Sequence, residues 1–157
     1  MFKKILVPTD FSDSSKAALE EALMLAKIFK SKIILMHVYE PIVYYTDVPM
    51  GMPDLVEIEQ GIHSTAETSL RSMAERDIKG REKDFGVIEV ETLLVQGKAF
   101  VEIVKAAREC EADLIVLSTH GRSAIEHILL GSVTEKVVRK APCAVLTIRA
   151  KNQFTMP

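Results

Sequence analysis

Features that would mark an exported, membrane-spanning or nucleic-acid-binding protein are missing from this sequence. No apolar run approaches the ~20 residues that a helix needs to span a bilayer. The first apolar run is short and is followed at once by a proline and an aspartate, unlike the apolar region of a secretory signal peptide. The formal net charge is only −2, which does not indicate a nucleic-acid-binding surface. We therefore expect a cytoplasmic protein whose partners include neither membrane nor nucleic acid.

Cysteine is scarce, and no pattern of metal ligands is present. Cys110 and Cys143 stand apart rather than in a C-x-x-C pair, so in a reducing cytosol we expect two packed thiols. His37, His63 and His127 lack metal-ligand spacing with cysteines or carboxylates. The sequence therefore predicts neither a disulfide nor a metal site.

Two familiar phosphate-binding motifs are also absent. The segment Gly97-Lys98-Ala99 lacks the first glycine and the final Ser or Thr of G-x-x-x-x-G-K-[ST], and G-x-G-x-x-G does not occur. His120 has no assignable nucleophile or orienting acid beside it. Without a motif lysine or a water-orienting group, rapid ATP hydrolysis is hard to build, so we predict no catalytic residue and at most slow hydrolysis.

What the sequence does contain suits one soluble domain over residues 1–150, followed by a polar tail over 151–157. The chain has 157 residues, of which 48% are hydrophobic and 27% charged. Apolar runs such as Ile5-Leu6-Val7 predict buried parallel strands, and stripes at helical period predict helices between them. Strands are predicted at 3–8, 32–39, 87–95, 113–117 and 144–148. Helices are predicted from residue 12, from between 54 and 64 to about 84, at 99–109, and from 132 to about 139. This alternation predicts an α/β fold with an open, doubly wound five-stranded parallel sheet and helices on both faces.

One long stretch, residues 40–61, has no periodicity. It contains three prolines, a pair of tyrosines and two methionines. Two interpretations stay open: a partly ordered insertion, or a lid or partner surface of adaptable side chains.

The residues after the fourth predicted strand are candidates for an anion site. Ser132 and Glu135 have the S-x-x-E spacing of a capping box, which predicts a helix starting at Ser132. The free N–H groups and positive dipole end of a helix start attract anions. Gly131 has no side chain to keep a phosphate from the backbone, and Ser132 and Thr134 could add hydroxyl donors. The alternative is that this spacing serves only as a helix cap.

The whole block resembles the nucleotide-binding block of the universal stress protein family, which reads Gly, two residues, Gly, nine residues, then Gly followed by Ser or Thr. The chain matches at Gly121, Gly131 and Ser132, whereas Ser118 stands at the first glycine position. The resemblance extends over residues 3–149, with K-I-L-V-P-T-D near the start and A-P-C-A-V-L-T-I near the end. It implies a stress-response regulatory module that binds ATP, or AMP or ADP, with Mg²⁺ held by the phosphates.

The resemblance also implies where the nucleotide lies. It implies strand order 3-2-1-4-5, and ligands of such sheets bind at the carboxyl ends of the strands where the order reverses. Asp10 would bind the ribose or a phosphate-bound Mg²⁺; the alternative is an acid that only favours the dipole of a helix start. The backbone at Val38 would meet the adenine edge. Arg122 would reach a terminal phosphate, or it is a solvated surface residue. The predicted nucleotide-binding residues are Pro8, Thr9, Asp10, Val38, Leu117, Ser118, Gly121, Arg122, Gly131, Ser132, Val133 and Thr134.

The resemblance further implies a homodimer that pairs its last strands, residues 144–148, which are apolar enough to seal a sheet edge. Two alternatives to the nucleotide-binding module stay open. One is an interaction protein of the same family that binds no nucleotide. The other is an enzyme, either a slow ATPase or an adenylyl-transferring relative.

Overall fold

The computed structural model describes residues 1–41, 55–119 and 131–149. Residues 42–54 of the predicted loop over 40–61 and the tail over 151–157 therefore lie outside the described residues. Residues 55–61 of that loop belong to a helix, so the predicted connection is wrong there. The strands are β1 (Lys4–Pro8), β2 (Lys32–Tyr39), β3 (Val90–Gln96), β4 (Leu114–Ser118) and β5 (Ala144–Ile148). The α-helices are α1 (Asp13–Phe29), α2 (Leu55–Met73), α3 (Glu82–Phe85), α4 (Ala99–Glu109) and α5 (Ser132–Lys140). No helix in these described ranges is long and apolar enough to cross a membrane.

The five strands form one parallel sheet in the order β3-β2-β1-β4-β5, as predicted. Successive side chains of a strand point to opposite faces, and β1 shows this directly. Ile5 and Val7 are buried with α1 and α2, whereas Leu6 is buried on the other face with α4 and α5. Apolar residues in succession are thus explained by a central strand that is covered on both faces.

Several predicted boundaries are confirmed and others are corrected. Strands β2 and β5 and helix α4 have the predicted bounds, and β1 and β4 each begin one residue later. The third strand begins at Val90 rather than at Val87, because Val87 follows the positive-φ turn at Gly86 (φ 77°) and is 85% exposed. The alternating pattern of residues 87–89 therefore predicted a strand where the chain does not yet pair with the sheet.

The long helix predicted to end near residue 84 is not one regular α-helix. After α2 the chain passes through a π-helical segment, Ala74–Ile78, and a 3₁₀ turn, Lys79–Arg81, before α3. Ala74 and Ile78 are both buried, at 3% and 2% exposure. Charge and apolar patterning could not reveal the change, because it is decided by packing against the sheet.

The carboxylate of Asp113 ties the start of β1 to β4. Its Oδ2 accepts hydrogen bonds from the backbone N–H groups of Lys3 (2.7 Å) and Lys4 (2.9 Å), and its own N–H donates to the Lys4 carbonyl (2.9 Å). The two N–H donors lower the pKa of the Asp113 carboxyl from its ordinary value of 3.8. The ionised carboxylate therefore helps to hold β1 in the centre of the sheet.

We predict that Asp113→Ala lowers the free energy of unfolding by about 1 kcal/mol at pH 7, since the side chain is exposed and its hydrogen bonds are partly replaced by water. A pKa that is lower in the folded state stabilises the protein above the ordinary value and loses that effect as pH falls through the folded-state value. Urea denaturation between pH 7 and pH 3 measures this loss. Glu111→Gln, which alters a nearby exposed ion pair with Lys4, is the control. A deficit that is the same at pH 3 as at pH 7 would contradict the assignment.

Candidate functional site

A cavity of about 1060 Å³ opens at the carboxyl ends of β1, β2 and β4. This is the edge at which the strand order reverses, between β1 and β4. Gly121 and Arg122 lie outside the described residues. The structure brings the other ten predicted residues together in the cavity wall: Pro8, Thr9, Asp10, Val38, Leu117, Ser118, Gly131, Ser132, Val133 and Thr134.

The turn after β1 is held by Thr9, which is only 5% exposed. Its N–H donates to the Met36 carbonyl (2.8 Å), and its hydroxyl oxygen accepts from the Phe11 N–H (3.0 Å). The same hydroxyl lies 3.0 Å from the Ser15 hydroxyl. Thr9 thus shapes the turn through contacts with the protein.

Asp10 connects the cavity wall to the start of α1. Its Oδ1 accepts from the N–H (3.0 Å) and the hydroxyl (2.5 Å) of Ser12, as in an Asx-turn. Ser12 is the N-cap of α1 and accepts from the Ser15 N–H (3.2 Å). The carboxylate is therefore oriented by the helix start and stands half-buried in the wall.

The residues Phe11 and His37 also line the cavity, although the sequence analysis did not single them out for it. Phe11 has φ 65°, in the left-handed region, and its ring lies 4.3 Å from that of His37. The His37 Nδ1 is 2.7 Å from the Thr9 carbonyl oxygen, so this nitrogen carries the proton. A left-handed phenylalanine has no sequence signal, because tertiary contacts impose it.

The backbone of Val38 faces the cavity because β2 is longer than β1. Alternate β2 residues direct their backbone groups to β1: the Lys32 N–H donates to Lys3, and the Met36 carbonyl accepts from Thr9. The β1 ladder ends with Pro8 opposite Met36. The N–H and C=O of Val38, two residues later, are therefore directed past the end of β1 into the cavity.

Helix α5 begins at Ser132, as predicted, but without the predicted capping box. The N-cap is Gly131, with extended φ −62° and ψ 153° and no side-chain cap, so Ser132 is the first helical residue. The box is wrong because its serine must lie outside the helix. The Glu135 carboxylate pairs instead with Arg139 at 3.1 Å.

The first amides of α5 are divided between protein and cavity. The Gly131 N–H donates to the Thr119 carbonyl (2.7 Å), and the first helical hydrogen bond runs from the Glu135 N–H to Gly131 (3.0 Å). The N–H groups of Ser132, Val133 and Thr134 donate to no acceptor within the described ranges. They present three donors at the positive end of a helix.

The hydroxyl of Thr134 is used within the protein. It donates to the Ser118 carbonyl at 2.8 Å, and Thr134 is 5% exposed. This bond fastens the end of β4 to the first turn of α5. The expectation that this hydroxyl is a donor for a ligand is therefore corrected, and the donor that Thr134 offers is its N–H. Ser118 lies in the wall and leaves the cavity open.

Helix α2 forms a wall that sequence reasoning missed. Its residues in the cavity are spaced at helical period: Ile58, Gly61, Ile62, Thr65, Ala66 and Ser69. Further lining residues come from α4, from β2 and the residue after it, and from α1: Ala99, Ile103, Met36, Tyr39, Glu40 and Ser15. The sequence pattern left residues 55–61 in a stretch without periodicity, and only the fold shows that the first half of α2 overlooks the strand ends.

Cys110 and Cys143 are free thiols, as predicted, and neither lines this cavity. Burial raises the pKa of both thiols, which keeps them protonated at neutral pH. Within residues 1–41, 55–119 and 131–149 there is no group of three or more His, Cys, Asp or Glu that could hold a metal ion.

This chain is similar in sequence and in fold to known proteins. The model of the universal stress protein family matches residues 1–149. Universal stress protein MJ0577 of Methanocaldococcus jannaschii is 31% identical, over 97% of this chain and 98% of its own. Among solved structures, universal stress protein UspA from Lactobacillus plantarum has a TM-score of 0.78 at 28% identity, covering 94% of this chain and 98% of that one. A universal stress protein in complex with cAMP has a TM-score of 0.67 at 28% identity, with coverages of 94% and 97%. With a family match over nearly its whole length, this chain belongs to the universal stress protein family.

Proposed function

We propose that this protein binds an adenine nucleotide, ATP or its product ADP or AMP, and acts as a regulatory module of the stress response in the cytoplasm. The observation that carries the proposal is the trio of open N–H groups at Ser132, Val133 and Thr134, set in the wall of a cavity at the switch point of the sheet. A relative of 28% identity was solved in complex with cAMP, which supports an adenine nucleotide as the ligand.

The phosphates would lie on the start of α5. Three N–H donors and the helix dipole favour an anion there, and the extended Gly131 leaves the backbone open to close approach. The Ser132 hydroxyl is on an exposed residue and can add a fourth donor. Because the described residues form no metal cluster, Mg²⁺ would be coordinated mainly by the phosphate oxygens.

The nucleoside would lie over the ends of β1 and β2. The N–H and C=O of Val38 offer one donor and one acceptor side by side, which suits the edge of adenine. Asp10 stands in the same wall, where a carboxylate can accept from ribose hydroxyls. The ligand would thus be read largely by backbone groups whose positions the sheet determines.

Ser132→Pro tests the phosphate site by removing one amide. Proline is tolerated at the first position of a helix, and Gly131 already has the extended conformation that a residue before proline prefers. Losing a hydrogen bond to a charged group costs about 1.5–3 kcal/mol, so the Kd for ATP should rise about 10- to 100-fold in calorimetric titration.

The matched control is Ser132→Ala, which removes the hydroxyl and keeps the N–H. We expect a smaller loss of affinity for it, with unfolding free energies of both variants within about 1 kcal/mol of wild type. Equal ATP affinity of the two variants would remove the amide from the site. Wild-type protein that shows no binding to ATP, ADP or AMP, with or without Mg²⁺, would reject the proposed function.

Thr134→Val should separate stability from binding. It leaves the Ser118 carbonyl without its donor, so the free energy of unfolding should fall by about 1–3 kcal/mol in urea denaturation. Because the backbone N–H remains, we expect the Kd for ATP to change less than about threefold, which corresponds to under 1 kcal/mol. Thr134→Ser should restore most of the stability. Unchanged stability with a large loss of affinity would instead place the hydroxyl on the ligand.

We further propose that two copies pair through β5, which lies at the edge of the described sheet. Ala144 and Leu146 are exposed there, and Leu146 keeps 36% of its surface accessible. An edge strand presents unpaired backbone groups that the same strand of a second copy can satisfy around a two-fold axis.

Sedimentation should give about twice the chain mass of 17.5 kDa for wild type and a monomer for Leu146→Lys. A monomeric wild type at micromolar concentration would reject the pairing.

A further inference from the structure

We propose that the cavity-facing side of α2 binds the base of the nucleotide, and that Gly61 leaves the space that the base needs. This inference rests on the proposed function, because it assigns the nucleoside end of the same ligand. By the α2 wall we mean Ile58, Gly61, Ile62 and Thr65, all of which line the cavity.

The cavity has opposite chemical character at its two ends. The open amides of α5 lie beside the end of β4, whereas α2 packs against β2 and β3 on the other side of β1. The rings of Tyr39 on β2 and His63 on α2 meet edge to face at 5.8 Å. A ligand whose phosphates rest on α5 and which crosses the ends of β4, β1 and β2 must therefore bring its other end to α2.

The apolar stripe of α2 continues beyond the part that the core covers. Its second half is buried, with Ala66 at 7%, Leu70 at 2% and Met73 at 3% exposure. Its first half is not, since Ile58 is 36% and Ile62 is 37% exposed although both face the cavity. Covering this apolar surface is favourable, and the flat face of a base has a suitable shape and polarity to cover it.

Gly61 lies between these two isoleucines in the first half of a 19-residue helix, inside its ends. Glycine is a poor helix former, so alanine would be the better residue for the helix itself. A Cβ built on Gly61 meets no heavy atom of the described residues within 4 Å, and its φ is not in the left-handed region. Neither packing against the part of the chain that the structure describes nor backbone conformation requires glycine here. What the missing side chain leaves is room on the cavity side of the helix, where the base would lie.

The test compares Gly61→Ala and Gly61→Leu with Ser64→Leu, which adds the same side chain to an exposed position of α2 outside the cavity. Calorimetric titration with ATP should show a Kd at least tenfold higher for Gly61→Leu, a smaller rise for Gly61→Ala, and none for Ser64→Leu. Thermal unfolding without ligand should show Tm raised by about 2–4 °C in Gly61→Ala, because helix propensity improves. A residue with a purely structural role would not gain stability while losing affinity.

A double variant, Gly61→Leu with Ser132→Pro, tests whether the two changes reduce ATP affinity independently, at separate ends of the ligand. If the two changes act on opposite ends of the ligand, their fold-losses in ATP affinity should multiply. Losses that do not multiply would overturn the assignment to the base end. Wild-type affinity of Gly61→Leu would overturn the α2 wall and leave the proposed function standing. Absence of ATP binding by wild type would instead overturn both.

Discussion

The cavity depends on the parallel pairing of β1 with two neighbouring strands of different length, β2 and β4. β1 has five residues and β2 has eight, so β2 continues past the end of the central strand. The helix after β4 starts beside that end, while α2 packs on the opposite face over β2 and β3. A short central strand between a longer strand and a helix start leaves a cleft that no side chain of the sheet can fill.

Backbone groups contribute to the polar lining of this cleft, together with side chains such as Asp10 and His37. Val38 offers its N–H and C=O, and Ser132, Val133 and Thr134 offer N–H groups. The hydroxyls of Thr9 and Thr134 are of a kind that can donate to a ligand. Here they make hydrogen bonds that hold the turn after β1 and the start of α5. These side chains hold the backbone of the cleft in place, so their direct effect is on stability.

Local patterns predicted the elements well where packing agreed with them. The apolar runs of β2 and β5 and the stripe of α4 have the predicted bounds because each is bounded by residues that break its pattern, as Gly97 does before α4. Predictions failed where neighbours in space decided the outcome. The S-x-x-E spacing cannot tell whether Ser132 or Gly131 takes the extended cap position, and the charged segment after Met73 does not reveal its π-helical turn.

By itself, the sequence determined that strands and helices alternate and that glycine and hydroxyl residues follow the fourth strand, since these follow from residue type and period. Its resemblance to a known family supplied the strand order and ten of the cavity residues, which the fold then brought together. Only the tertiary structure decided which amides stay open, which hydroxyls are used internally, and that α2 closes the cavity opposite α5. The physical reason is that hydrogen-bond partners and free space depend on residues far apart in the chain, and local periodicity contains no record of them.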